Sequence, residues 1–129
     1  MTNDVAKQVE RVMQEIIYPV HAEAVRGTVL RVLGELEVST PVKSGRARSN
    51  WNVSSAAPDL STSDRTVPRD QSETIKSIDA DRINYVSNGL PYIQKLNDGS
   101  SKQAPQNFVD IAVKVAIRNS ENAIKRGAQ

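Results

Sequence analysis

The sequence predicts an α+β fold, and three observations carry that prediction. Apolar residues recur at steps of three and four from Val5 to Leu36 and again from Phe108 to Ile117, the mark of amphipathic helices near both ends. Between them, two short runs alternate apolar and polar residues with period two, as half-buried strands do. The strands are separated by a long stretch without period, rich in Ser, Thr, Asp and Pro. The expected architecture is a single domain, residues 1–129, with long N-terminal and C-terminal helices packed on a small, mainly antiparallel sheet, and a long polar loop or arm.

The first helix is expected over about residues 3–37. Its stripe runs Val5, Val9, Val12, Ile16, Val20, Ala24, then Val29, Val32, Leu33 and Leu36. Thr2 or Asn3 can cap it, and Asp4 suits the positive end of the helix dipole. Pro19 has no N–H and its ring strikes the preceding turn, so a kink or break is expected near Tyr18. Gly27 and Gly34 weaken the second half by about 1 kcal/mol each relative to Ala, so this helix needs packing partners beyond its own sheet. His21, the only histidine, is expected at the surface.

The run Thr40 to Val53, TPVKSGRARSNWNV, joins the helical half to the first strand. Pro41 stops the helix by pushing Thr40 out of the α region. Gly45 supplies the positive φ of a tight reversal. From there a strand is expected over 46–53, with Ala47, Ser49, Trp51 and Val53 on the core side and Arg46, Arg48, Asn50 and Asn52 on the other. Trp51 is the only tryptophan; burying ~150–250 Å² of it contributes at most roughly 4–6 kcal/mol.

A polar loop follows over 54–70, either a surface loop or an arm that orders on a neighbouring subunit. Asp70-Gln71-Ser72-Glu73 has the spacing of a capping box and opens a short helix over 71–79. A second strand over 82–87 carries Ile83 and Tyr85 on one face and pairs with the Trp51 strand. Pro91 begins a short helix over 91–97, with Tyr92, Ile93 and Leu96 inward and Gly99 after its end. Pro105 opens the last helix, 105–126, with Phe108, Ile111, Ala112 and Val115 as its main stripe.

Composition limits the chemistry. With no Cys and one His, the 129 residues offer neither a disulfide nor a thiolate or histidine-cluster metal site, and a cofactor is not expected. No Gly-rich phosphate loop and no paired acidic motif at metal-ligand spacing occurs, so no catalytic residues are assigned and the chain is expected not to be an enzyme. No apolar run approaches the ~20 residues of a membrane span, and the start does not read as a signal peptide, so a cytoplasmic protein without a membrane partner is expected. The net charge of +2 is a mild excess. Lys43, Arg46 and Arg48 are its densest cluster, but a strand places the two arginines opposite Trp51, so aromatic and guanidinium groups do not meet one nucleic-acid ligand. Phosphate contact without base readout, or pairing with acidic residues of a partner, are the readings left for them.

Two runs carry a resemblance. Thr40 to Trp51, TPVKSGRARSNW, is similar to the TPV-D-T-G-R-x-R-x-x-W motif of small neck and tail-completion proteins of long-tailed bacteriophages. The run Tyr85 to Ile93, YVSNGLPYI, then Lys95-Leu96-Asn97 and Gly99 to Pro105, GSSKQAP, resembles the same group's second motif, and both occur in family order. Lys43-Ser44 departs from the usual Asp-Thr and reverses a charge, and Asn97-Asp98 shifts an acidic residue by one position. The resemblance implies a structural virion protein that assembles with itself as a ring, expected to be six-fold, and contacts other neck, head-closure and tail-tube proteins close to DNA in the channel. It implies a place at the neck or tail end of the virion, and in the host cytoplasm during assembly. It makes Lys43, Arg46, Arg48, Tyr92, Lys102 and Gln103 the candidate interface residues, and Thr40, Pro41, Gly45, Trp51, Asn88, Leu90, Pro91 and Pro105 the structural motif. A DNA-binding packaging accessory protein and another tail-tube or baseplate subunit are the alternatives.

Overall fold

A computed structural model describes residues 2–100, 102 and 104–127. It is an α+β fold, a helical framework around one two-stranded antiparallel sheet.

The first element is a single helical rod. Its parts are α1 (Thr2–Val12), a π-helical turn (Met13–Ile17) and α2 (Tyr18–Ser39). Pro19 accounts for the wide turn. In a regular α-helix its ring would strike the carbonyl four residues back, and one backbone bond would be lost. The π turn opens the helix just before that point, and the Tyr18 N–H donates to the Met13 carbonyl instead. The kink or break expected near Tyr18 thus takes the form of a π turn that interrupts the α-helix without ending it, and the helix continues to Ser39. There Thr40 turns extended, at φ −68° and ψ 130°, as a residue before proline must.

The core is assembled on the second half of the rod. Val29, Leu33 and Leu36 of α2 meet Phe108 and Ala112 of α5 (Phe108–Gly127), with Trp51, Val53, Ile75 and Ile78 closing the cluster. Burial along α5 follows every fourth residue, Phe108, Ala112, Ala116 and Ser120, so small side chains let the two helices approach closely. This corrects the expected stripe, since Ile111 faces outward. Arg31 of α2 donates to the buried Ser120 hydroxyl at 3.3 Å. The last helix begins at Phe108 rather than Pro105, because Asn107 adopts φ +62° immediately before it.

The sheet pairs β1 (Trp51–Ser55) with β2 (Asn84–Asn88), Trp51 opposite Asn88 and Val53 opposite Val86. Both strands start later than the sequence pattern suggests. Residues 46–50 are not extended: Ala47 is αR and Arg48–Asn50 form a 3-10 turn. Ala47 and Ser49 are buried as expected, but by that turn and not by a strand. Before β2, the Asn84 side-chain amide donates to the carbonyls of Asp79 and Arg82, at 3.1 Å each. That bond holds the preceding residues in a turn, which leaves Ile83 exposed rather than inward.

The two short helices are also shorter than expected. α3 spans Ser72–Lys76, and its start is no capping box. Asp70 Oδ1 accepts from the Ser72 N–H at 2.9 Å, Glu73 pairs with Lys76, and the Gln71 side chain goes to the sheet. α4 spans Ile93–Asn97, so Pro91 lies in the turn ahead of it, and Gly99 follows with φ +97°.

Trp51 ties these parts together. Its ring is buried, and its Nε1–H donates at 2.8 Å to Thr40 Oγ1, which itself bonds the Leu36 carbonyl at the end of α2. Trp51→Phe is expected to keep most of the packing but to remove the donor to Thr40 Oγ1, which keeps only its bond to the Leu36 carbonyl, destabilising the fold by about 1 kcal/mol in urea denaturation. Trp51→Ala is expected to cost about 3–5 kcal/mol and to leave little folded protein.

Candidate partner-binding cleft

The turn between α2 and β1 is shaped by backbone bonds that only its own residue types allow. Gly45 sits at φ +87°, and a Cβ there would fall 2.2 Å from the Thr66 carbonyl oxygen. The Ser49 hydroxyl and N–H both return to the Gly45 carbonyl, closing the turn from inside. Asn50 Nδ2 donates to the carbonyls of Arg46 at 2.7 Å and Ser63 at 3.1 Å, while its Oδ1 accepts from the Ser63 N–H at 2.8 Å.

Residues 56–70 form a strap over this turn and strand, on their own subunit. The expected polar loop is thus a surface loop held to its own subunit by hydrogen bonds. Asn52 Nδ2 donates to the carbonyls of Asp59 and Ser61, and Arg69 donates to Asn52 Oδ1 at 2.8 Å. Gln71 then behaves as one residue of a third strand. Its Oε1 accepts from the Val53 N–H at 2.9 Å, and its Nε2 donates to the Trp51 carbonyl at 2.8 Å. The strap passes so close to the second motif that a Cβ on Gly89 would lie 2.1 Å from the Leu60 carbonyl oxygen. Asn50 and Asn52, expected on the solvent side, are almost fully buried beneath it.

The second motif is joined to the first by Asn88. Its Nδ2 donates to the Ala47 carbonyl at 2.9 Å and its Oδ1 accepts from the Leu90 N–H at 3.1 Å, with Leu90 buried below. Asn97 fixes the far end, accepting the Asn107 N–H on its carbonyl and the Val109 N–H on Oδ1. Between the two motifs opens a cleft of about 480 Å³. Pro41, Lys43, Ser44, Gly45 and Ala47 make one wall, and Tyr92, Leu96 and Ser100 the other.

The candidate interface residues divide accordingly. Lys43 and Tyr92 both line the cleft. Arg46 is turned to the strap, donating to the Ser63 carbonyl at 3.2 Å beside Asp64 at 3.6 Å. Arg48 reaches the Val38 carbonyl at 3.4 Å and lies beside Glu37, whose carboxyl is pushed up by burial and partly held down by that guanidinium. The two arginines of the basic cluster are therefore engaged by local bonds. Lys102 is exposed and does not line the cleft, and Gln103 lies outside the described residues. Pro91 and Pro105 are exposed, while Thr40, Pro41, Gly45 and Trp51 are buried.

Among the described residues no cluster of His, Asp or Glu groups three or more side chains as a metal site would. The buried amides Asn50, Asn52 and Gln71, with the half-buried Asn97, are what the sequence reading missed; the alternation Asn50-Trp51-Asn52 beside a long polar segment was the available signal. No protein-family model, curated protein or solved structure matches the chain.

Two outcomes test the strap. Gly45→Ala meets both the positive φ and the Thr66 carbonyl, so it is expected to destabilise the protein by about 2 kcal/mol or more and to open residues 56–70 to limited proteolysis. Asp59 and Asp70 are both held below the ordinary aspartate value, first by hydrogen bonds from the side chains of Ser61 and Ser72 and then from their backbone N–H groups. A lowered carboxyl stabilises the fold above its unfolded pKa and loses that contribution as the pH falls. Protection of the Ser61 and Ser72 amides, measured as exchange relative to the intrinsic rate at each pH, is therefore expected to be present at neutral pH and to fall below about pH 4, before the Trp51 core opens.

Proposed function

We propose that the chain is a structural subunit of a long-tailed phage neck, which acts by binding: copies assemble as a ring that joins a filled head to a tail, or that completes the tail tube. The observation that carries this reading is the cleft, where the two separated motifs of the resemblance lie side by side, coupled through Asn88 and Ala47. Its wall of Pro41, Ala47 and Leu96, with Lys43, Ser44, Tyr92 and Ser100 as polar groups, has the mixed character of a surface that binds protein. Ring closure needs such a face to meet a different face of the next copy. The virion is then the place of action, and the host cytoplasm the place of assembly.

The rival reading, a DNA-binding packaging accessory, loses its main support once Arg46 and Arg48 are engaged by the strap and by α2. A ring subunit can still stand close to DNA through Lys43 without reading its sequence.

Mass spectrometry of purified particles is the direct test. The chain is expected in mature virions at a copy number that fits a ring, and its absence there removes the proposal. Lys43→Glu combined with Tyr92→Ala, both at the cleft surface, is expected to leave the monomer folded while filled heads and free tails accumulate unjoined.

A further inference from the structure

The first half of the helical rod carries an apolar stripe that its own subunit does not cover. Val5, Val9, Val12, Ile16 and Val20 are between 46% and 63% exposed, and α1 makes no extensive packing contact with any element beyond the π turn. The stripe runs on, through Val20, into a groove of about 550 Å³ between α2 and the end of α5. Its floor along α2 is Val20, Ala24, Gly27 and Arg31, with Ala123 and Ile124 as the wall from α5. The π turn keeps stripe and groove on one side of the rod. Steps of four residues drift around an α-helix, and the wide turn takes up that drift between Val12 and Val20.

We infer that this face pairs with a second copy of the chain, rod against rod, antiparallel and two-fold. The spacing is self-complementary: Val5, Val9, Val12 and Ile16 advance by four, three and four positions, and Arg31, Gly27, Ala24 and Val20 descend by the same steps. Val9 of one copy then seats on Gly27 of the other, Val12 on Ala24 and Ile16 on Val20, large side chains against small. Val5 lies along the stem of Arg31, which its bond to Ser120 holds at the groove floor.

Charge selects the direction. The same spacing also permits a parallel, head-to-tail seat, Val12 on Gly27, but that aligns the two helix dipoles. The antiparallel seat brings Asp4 to Arg31 and Arg11 to Glu23, twice by symmetry, and opposes the two helix dipoles. A helix about 10 Å across, covered over a third of its girth for the about 40 Å from Val5 to Arg31, hides roughly 420 Å², and the wall of Ala123 and Ile124 adds to it on each copy, so the pair hides roughly 850–1,000 Å², the size of a weak, reversible interface. This contact goes beyond the neck reading and does not depend on it.

Sedimentation equilibrium on the full chain is expected to give a dimer at about 10 μM. Val9→Glu is expected to raise the dissociation constant at least about 100-fold while circular dichroism stays that of a folded monomer, since Val9 is exposed in one copy. Arg11→Glu is expected to weaken the dimer about tenfold, and Glu23→Arg in the same chain to restore it. The chain has no Cys, so two pairs of substitutions read the direction. Val12→Cys with Ala24→Cys is expected to oxidise to a covalent dimer, and Val12→Cys with Gly27→Cys is expected not to. Neither pair can close within one copy, because both span about 18 Å or more of helix. A wild-type monomer at about 100 μM, a dimer indifferent to Val9→Glu, or cross-linking through the Val12 and Gly27 pair instead overturns the inference.

Discussion

Three buried side-chain amides, Asn50, Asn52 and Gln71, are the constraint on which the rest of this domain depends. A two-stranded sheet is too small to stand alone, and the edge of β1 away from β2 would leave backbone groups of Trp51 and Val53 without partners. Gln71 meets both of those groups, and the two asparagines meet the carbonyls of the strap that covers them. Each such group left unpaired in the interior would cost about 1–3 kcal/mol. The bonds thus turn residues 56–70, which bury little apolar surface of their own, into a covering layer. Trp51 depends on them in turn, since that layer and Gln71 fix the strand that aims its ring at Thr40 and α2.

The same bonds decide which parts of the fold were legible in the sequence. Helices reveal themselves through apolar spacing, so the rod and the last helix could be read directly, and the Thr40-Pro41 stop and the positive φ of Gly45 follow from residue type alone. The strand boundary could not. Ala47, Ser49, Trp51 and Val53 are all buried, so period two was a true burial signal with the wrong backbone beneath it: a 3-10 turn feeding a strand buries the same alternate positions. Asn50 and Asn52 misled for a related reason. A polar residue facing water and one facing a layer of backbone carbonyls look alike until the covering segment is placed. The cleft was half legible: its two walls were named, and their meeting through Asn88 is a long-range bond with no local pattern.

The helical rod shows how one apolar period can serve two purposes. Its second half follows the three-four spacing into a core with α5, whereas the first half carries the same spacing into solvent. Pro19 sits at the division. By forcing a π turn rather than a break, it keeps the two halves in one helix and keeps the uncovered stripe in phase with the groove.

That geometry separates two kinds of contact. The cleft lies at the C-terminal end of α2, and the centre of the inferred pairing face lies near Tyr18, about 33 Å away at about 1.5 Å per residue. A two-fold contact is saturated by two copies and cannot extend, whereas a ring must present a different surface to each neighbour. The stripe of α1 therefore cannot be the surface that closes a ring. If the chain forms both a dimer and a ring, the cleft end must build the ring, and the cleft itself is left open for it by the antiparallel seat.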